Sequence, residues 1–359
     1  LGQEVIVNGS YSSAVGYMAK ADSSGSTAIG PWAETSGLDS AALGNHAKAS
    51  GSRSLALGNS AGASGSESLA LGRSAEASGS ASNAIGWSAK ATAENATAIG
   101  SGAKADGNFA VVLGTNSFVQ DADSIAIGRG ATVNSDKPGI SQNSIAFGTN
   151  ATVSGGQSVG IGVESKTGTG ISMVAIGDQA STDNQSDLNT STTKTQTNRQ
   201  SVAIGSRAQA WGDQAIALGN DVKASGNSSV AIGGDDIDRV RTAYDNLYQN
   251  ITGQALPSGY PATESAGGAS VAVGVGASSQ GQFSTAIGMT SNSSGDGSVA
   301  IGPTAKSSGE AGVAIGIASQ ASAKKTTAIG SVATATGENA TAIGGKASAT
   351  SEGAQALGY

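Results

Sequence analysis

The chain has 359 residues, of which 55 are glycine and only 4% are aromatic, and it contains no cysteine. The lack of cysteine excludes disulfides, thiolate metal sites and cysteine nucleophiles, and the scarcity of large side chains argues against a conventional globular core. A formal net charge of −7 offers no electrostatic footprint for nucleic acid, and the sequence has no apolar run of about 18 residues that could span a bilayer as a helix.

A repeat of fourteen residues dominates the chain. The repeat has 22 copies, each with a glycine preceded by Val, Ile, Leu or Phe, and 17 of the 21 intervals between these repeat glycines are fourteen residues long. The longest regular run extends from Gly16 to Gly128. Large and small residues alternate before each glycine, as in residues 68–71, and again after it, as in residues 89–91. A two-residue alternation predicts strands and not helices.

Each copy therefore predicts two short strands and two turns. Fourteen residues cannot bury a core alone, but stacked copies can pair every strand in parallel with its equivalent one coil away. The sequence predicts an all-β fold, a parallel β-roll (β-solenoid) built from 14-residue coils.

The repeat leaves open which side chains fill the coil. The residue before the repeat glycine is always large, whereas the residue before that one is alanine in 20 of 22 copies. We expect the large column to point inward against small residues, which would leave the alanine column on an outer face approached closely by another subunit. In the alternative, alanines fill the interior and the large column forms the subunit contact. Both arrangements need a partner chain.

The position four residues after the repeat glycine predicts an outward ladder of polar side chains. In the first seven coils it holds Lys20, Glu34, Lys48, Gly62, Glu76, Lys90 and Lys104. Since neighbouring strands lie about 4.8 Å apart, we expect Glu76 to attract Lys90, and Lys90 to repel Lys104. The ladder is interpreted as a solvated face.

Interruptions of the repeat predict insertions. One lies near residues 132–141, and a second, near 181–198, is polar and is interpreted as a loop rather than a degenerate coil. The largest interval separates Gly233 from Gly274. The predicted organisation is thus β-roll coils over residues 1–233, an inserted helix and loop over 234–266, and further coils over 267–359.

The third insertion predicts one helix of about 15 residues. Apolar side chains recur there at steps of three and four residues, at Ile237, Val240, Tyr244, Leu247, Tyr248 and Ile251. This face predicts docking on the roll or on a neighbouring chain. It is also compatible with a receptor-binding projection. The candidate ligand-binding residues are Arg239, Arg241, Tyr244 and Tyr248 of this insertion and Lys194 and Arg199 of the second.

No pattern of catalytic, cofactor-binding or metal-binding residues is recognised. His46 is the single histidine; it is interpreted as a solvated surface residue, and one histidine without cysteine cannot form a zinc set. Trp32, Trp87 and Trp211 lie near predicted turns, and their positions do not indicate an aligned aromatic ladder.

Two alternative functions were also considered from the sequence. A polysaccharide-acting β-solenoid enzyme would need clustered carboxylates. A purely structural or ice-binding solenoid would need a flat threonine ladder.

Copies reading SVAIG at residues 201–205, 229–233 and 298–302 resemble the repeat of YadA-like heads, the head domains of trimeric autotransporter adhesins of Gram-negative bacteria. The long, interrupted head looks most like those of the ubiquitous surface proteins of Moraxella-type adhesins. The resemblance implies a left-handed parallel β-roll, a side-by-side homotrimer and a non-enzymatic virulence function. It further implies binding to host extracellular matrix proteins (fibronectin, laminin or collagen) or host cell receptors, and autoaggregation of bacteria.

The resemblance also implies parts that this sequence does not contain. These are the neck, the coiled-coil stalk and the C-terminal β-barrel that anchors such adhesins in the outer membrane. We therefore expect this fragment to be an excised head that is not itself inserted in a membrane, needs no cofactor and is displayed at the bacterial cell surface.

Overall fold

The computed structural model describes residues 3–134, 142–183 and 200–358. Its contacts divide the chain into two compact units, Leu1–Ser172 (unit 1) and Met173–Tyr359 (unit 2). The predicted insertion near 132–141 and the one near 181–198 lie largely outside the described residues, and Lys194 and Arg199 lie wholly outside them.

In unit 1, strands of two residues alternate with strands of three residues. They are β1 (Ile6–Val7), β2 (Ser13–Val15), β3 (Lys20–Ala21), β4 (Thr27–Ile29), β5 (Glu34–Thr35), β6 (Ala41–Leu43), β7 (Lys48–Ala49), β8 (Leu55–Leu57), β9 (Gly62–Ala63), β10 (Leu69–Leu71), β11 (Glu76–Ala77), β12 (Asn83–Ile85), β13 (Lys90–Ala91), β14 (Thr97–Ile99), β15 (Lys104–Ala105), β16 (Val111–Leu113), β17 (Phe118–Val119), β18 (Ile125–Ile127), β19 (Thr132–Val133), β20 (Ile145–Phe147), β21 (Thr152–Val153), β22 (Val159–Ile161) and β23 (Lys166–Thr167).

Unit 2 largely continues this pattern, with consecutive three-residue strands at its start and two strands of four residues, and it contains one helix. Its elements are β24 (Val174–Ile176), β25 (Val202–Ile204), β26 (Gln209–Ala210), β27 (Ile216–Gly219), β28 (Lys223–Ala224), β29 (Val230–Gly233), α1 (Ile237–Thr252), β30 (Glu264–Ser265), β31 (Val271–Val273), β32 (Ser278–Ser279), β33 (Thr285–Ile287), β34 (Asn292–Ser293), β35 (Val299–Ile301), β36 (Lys306–Ser307), β37 (Val313–Ile315), β38 (Gln320–Ala321), β39 (Thr327–Ile329), β40 (Thr334–Ala335), β41 (Thr341–Ile343), β42 (Ser348–Ala349) and β43 (Gln355–Leu357).

All strand pairs described within each unit are parallel and join equivalent positions of successive coils. Leu69, Ala70 and Leu71 pair with Asn83, Ala84 and Ile85, fourteen residues later. The register persists across insertions, since Ile125 pairs with Ile145 and Val174 pairs directly with Val202. The predicted all-β parallel β-roll of 14-residue coils, with one short helical insertion, is confirmed.

The interior of each roll is filled by small side chains, so the expected inward direction of the large column is wrong. Ala56, Ala70 and Ala84 are fully buried, whereas Leu57 is 38% exposed. The short strands contribute further alanines, such as Ala63 and Ala77, to the same core. Because each coil builds two strands and two turns from only fourteen residues, its interior is narrow. It accommodates methyl-sized side chains but not a packed column of leucines.

Buried serines also contribute to this core, and in unit 1 several of them have paired hydroxyl groups. Ser40, Ser54 and Ser68 are almost fully buried. Each donates its hydroxyl hydrogen to the carbonyl oxygen three residues earlier, over 2.7 Å. A buried hydroxyl is tolerated when it is hydrogen-bonded, and this local bond explains why serine recurs beside the alanines.

The roll resumes after the helical insertion slightly earlier than predicted. Strand β30 at Glu264–Ser265 pairs with Lys223 and Ala224 of β28, so residues 264–266 belong to a coil and not to the insertion. The coils on both sides of the insertion are therefore direct neighbours in unit 2.

One exception in the alanine column gives a test of interior packing. Gly160 replaces the usual alanine, and a Cβ at this position would lie 2.9 Å from Val153 Cγ2. We expect Gly160→Ala to destabilise the roll by about 1–2 kcal/mol through overpacking, seen as a lower urea midpoint. Gly160→Ala combined with Val153→Ala should recover most of this loss. An unchanged midpoint for the single variant would contradict the close packing of these two residues.

Candidate functional site

The largest candidate surface in each unit is formed by the outward side chains of the three-residue strands. We call the first and third residues of these strands the aliphatic face of that unit. Leu55 and Leu57 are 37% and 38% exposed, while Ala56 between them is buried. Parallel pairing places Leu43, Leu57 and Leu71 side by side in one column. The apolar residues of successive coils thus form a continuous stripe.

The aliphatic face has the properties of a protein contact surface. Soluble monomers rarely expose large contiguous apolar patches, and this stripe gains a half-exposed aliphatic side chain with each successive coil, as at Leu43, Leu57 and Leu71. Its regular spacing also matches another copy of the same roll. The alanine column was predicted to make this contact, but it lies inside the coil and the large column takes its place on the outer face.

The two-residue strands carry the predicted polar ladder. Lys90 Nζ lies 2.9 Å from Glu76 Oε2, and Lys48 Nζ lies 3.3 Å from Glu34 Oε2. The attraction between Glu76 and Lys90 is confirmed. Lys104 pairs with Asp106 and lies over the ring of Phe118, 4.9 Å from its centroid. These contacts occupy the Lys104 ammonium group, for which repulsion by Lys90, its neighbour in the adjacent coil, was predicted.

The turns add charge pairs between successive coils. The Arg207 guanidinium donates two hydrogen bonds to the Asp221 carboxylate and thereby lowers the pKa of that carboxyl. A carboxyl whose pKa is lower in the folded state stabilises the fold above its unfolded pKa, and this contribution is lost as the pH falls through the folded pKa. Because both groups are solvent-exposed, the effect on stability is small.

The helix α1 forms as predicted and its ends are capped by local residues. The Asp236 side chain accepts a hydrogen bond from the Arg239 backbone N–H, and Gly253 ends the helix in the left-handed conformation. An acidic N-cap satisfies an otherwise unpaired helix N–H, and a left-handed glycine is a common helix terminator.

The helix docks on the roll of unit 2 through part of its apolar face. Ile237 is fully buried, Tyr248 is 6% exposed, and the Tyr248 hydroxyl lies 2.5 Å from Thr304 Oγ1. Two hydrogen bonds fasten the following loop to the helix, from the backbone N–H of Leu256 to Asp245 and from that of Gly259 to Asp238. The insertion is therefore tied to the roll by contacts within the chain.

The candidate ligand-binding residues of the helix do not share one surface. Tyr244, Arg239 and Arg241 are exposed, whereas Tyr248 is buried and serves docking. Arg239 also forms an ion pair with Asp236, at 3.6 Å. Leu247 is as exposed as Tyr244, and sequence periodicity had placed it on the docking face.

The two tyrosines of the helix provide a matched test of docking. We expect Tyr248→Ala to release α1 from the roll at a cost of about 3 kcal/mol, because a buried aromatic side chain and its hydrogen bond are lost. Tyr244→Ala should change stability by less than about 0.5 kcal/mol. Hydrogen exchange of the amides of residues 237–252 measures both effects, and equal protection in the two variants would contradict the docking geometry.

A short stack of aromatic rings includes one of the three tryptophans, Trp32. Trp32 and His46 stack with centroids 4.8 Å apart and planes within 2°, and Tyr17 meets Trp32 edge-on at 5.1 Å. Trp32 and His46 occupy equivalent left-handed turn positions of successive coils (φ 54° and 55°). His46 is exposed at the surface, as predicted, and its ring also packs against that of Trp32.

The described residues contain neither a metal-binding cluster nor a membrane-spanning helix. No group of three or more His, Cys, Asp or Glu side chains in residues 3–134, 142–183 and 200–358 is arranged to hold a metal ion. Within the same ranges, no helix is both long and apolar enough to cross a membrane.

Comparison with known proteins identifies the repeat. A search of curated proteins finds no match. One similar solved structure is the collagen-binding domain of the Yersinia adhesin YadA, at 24% identity and a TM-score of 0.27, over 51% of this chain and 83% of that one.

A family model gives a broader match. The family described as the YadA head domain repeat (2 copies) matches residues 8–31, 36–61, 63–89, 84–103, 91–117, 105–131, 140–165, 197–221, 265–291, 293–316, 307–333 and 335–359. These segments cover well over half of the chain, and they coincide with the coils seen in both units. The chain belongs to the YadA head domain repeat family.

Proposed function

We propose that this chain is the non-enzymatic head of a bacterial surface adhesin and that three copies assemble side by side through their aliphatic faces. The observation that carries the proposal is the half-exposed column exemplified by Leu43, Leu57 and Leu71. Burying an aliphatic side chain of this size contributes about 1.5–3 kcal/mol when burial is complete. Summed over many coils, this gain supports a permanent assembly. The left-handed sense of the roll remains a prediction.

In this proposal the polar ladders and the helical insertion face outward and make the adhesive contacts. Their targets are host extracellular matrix proteins (fibronectin, laminin or collagen) or host cell receptors, and contact between heads on different bacteria would cause autoaggregation. Repeated weak contacts gain strength through multivalency, which suits a surface of exposed ion pairs. Display at the bacterial cell surface would depend on an anchor in the outer membrane.

Binding of the purified head to immobilised collagen, fibronectin and laminin tests the adhesive part of this proposal. We expect saturable binding to at least one of them, and absence of binding to all three and to host cells would overturn it. A deletion of residues 234–260 then locates the contact. It joins Gly233 to Pro261 and restores the fourteen-residue interval, with the Gly–Pro junction that Gly302 and Pro303 form in a regular coil.

The deletion separates two possible contact surfaces on the head. If the insertion with its exposed Tyr244 and Arg241 makes the contact, we expect the deletion to weaken matrix binding at least about tenfold, since such side chains dominate many interfaces. Unchanged binding would assign the contact to the polar ladders instead.

A further inference from the structure

A cleft of about 490 Å³ lies between the helical insertion and the roll of unit 2. Tyr248 and Pro257 line it from the insertion, and Asn292, Lys306 and Gln320 line it from three successive two-residue strands. Its volume lies in the range of about 300–1,000 Å³ that is typical of small-molecule sites. Because the helix is docked through Tyr248 and Thr304, both walls of the cleft are held in place.

Lys306 differs from other lysines of the polar ladder. Five of them have a carboxylate partner, either one coil away or two residues later: Lys48 with Glu34, Lys90 with Glu76, Lys223 with Glu264, Lys20 with Asp22 and Lys104 with Asp106. Lys306 has neutral neighbours, Asn292 and Gln320, in the coils on both sides, and no carboxylate in the described part of the chain forms an ion pair with it. An exposed cation without a partner at the edge of a cleft favours an anionic ligand.

The other polar groups of the cleft are neutral and retain hydrogen-bonding capacity. Thr290 Oγ1 is buried and has no hydrogen-bond partner among the described residues. Thr304 donates to the Pro303 carbonyl at 2.7 Å, so Tyr248 must be the donor in its bond to Thr304, and the Tyr248 oxygen can still accept a hydrogen bond. The amides of Asn292 and Gln320 can both donate and accept.

This combination matches one class of ligand. Hydroxyl and amide groups that both donate and accept suit a ligand rich in hydroxyls, and the small apolar surfaces of Pro257 and Ala318 suit the C–H face of a sugar ring. The single cation suits one anionic substituent. We propose that the cleft binds an anionic saccharide, a sugar unit carrying a carboxylate or sulfate group that pairs with Lys306. This inference deepens the proposed adhesive function by naming a ligand class.

Titration calorimetry of the intact head with three probes tests the site. The probes are 3′-sialyllactose, which carries a carboxylate, 3′-sulfolactose, which carries a sulfate, and neutral lactose. We expect saturable binding of one of the two anionic probes, and its identity distinguishes carboxylate from sulfate. Lys306→Gln should weaken this binding about tenfold, the loss typical of one charge-assisted contact. Glutamine already occupies the same strand position at Gln320, so this variant is expected to fold.

Two further variants complete the experiment. Lys48→Gln makes the same change at the equivalent ladder position in unit 1 and should leave saccharide binding unchanged. Asn292→Ser removes an amide that lines the cleft and should weaken binding several-fold; serine occupies the equivalent strand position as Ser278.

Three results would overturn the inference: no saturable binding of either anionic probe at millimolar concentration, equal binding of lactose, or equal binding by Lys306→Gln. Matrix adhesion without saccharide binding would count against the cleft alone. Saccharide binding without matrix adhesion would count against the broader proposed function but would still support the cleft as a saccharide-binding site.

Discussion

Gly72→Ala is expected to destabilise unit 1 by at least about 3 kcal/mol, although it adds a single methyl group. Gly72 has a φ of 136°, and a Cβ there would lie 2.4 Å from the Gly86 carbonyl oxygen and 2.7 Å from its carbon. The clash is with backbone of the next coil, which cannot move without breaking the parallel ladder. Backbone strain and overpacking each cost about 1–3 kcal/mol.

Gly62→Ala is the matched control for this prediction. Gly62 lies in the same coil region, has no positive φ, and a Cβ there would have no atom within 4 Å. We expect its urea unfolding midpoint to match that of the wild type or to rise slightly, because alanine restricts the unfolded chain. If both variants lowered the midpoint equally, the close approach of coils at the repeat glycine would not be the reason for its recurrence.

Leu57→Asp is expected to weaken association of the proposed trimer at least about 100-fold. The substitution places a carboxylate in the aliphatic face of every copy, between Leu43 and Leu71. Loss of apolar burial in three chains, together with the cost of burying charge, amounts to about 3–5 kcal/mol. Analytical ultracentrifugation over a dilution series measures the change.

The control for association adds the same charge to the other face of the coil. Gly62→Asp introduces a carboxylate on the outward side of β9, where a side chain has room, and it should leave the mass of the assembly unchanged. A mass that falls equally in the two variants would indicate a general destabilisation and would refute the assignment of the aliphatic face as the interface.

Much of the fold follows from the sequence, because a constant interval of fourteen residues determines which residues of neighbouring strands pair. Once Gly72 and Gly86 are fourteen residues apart, stacking equivalent strands pairs Leu69 with Asn83 and Leu71 with Ile85. The prediction that the large column points into the coil was wrong, although the sequence contains an indication of the correct direction. Asn83 lies on the same side of its strand as Ile85, and a narrow interior offers such an amide no partner. The near-constancy of alanine reflects limited space inside the coil.

The candidate site was less predictable, because it depends on what packs beside each helix face. Tyr244 and Tyr248 follow the same apolar periodicity, yet only the position of Thr304 on the roll makes Tyr248 the buried one. Similarly, the stack of Tyr17, Trp32 and His46 joins residues of different types that meet through the coil period. The cleft at Lys306 requires both the helix position and the neutral neighbours in adjacent coils, and no local motif marks it.

Sedimentation equilibrium of the wild-type chain tests most directly whether the aliphatic faces are covered by other copies of the chain. We expect a single species with three times the mass of the chain, and we expect it to persist on dilution to nanomolar concentration. A stable monomer whose aliphatic residues remain accessible to solvent would contradict it.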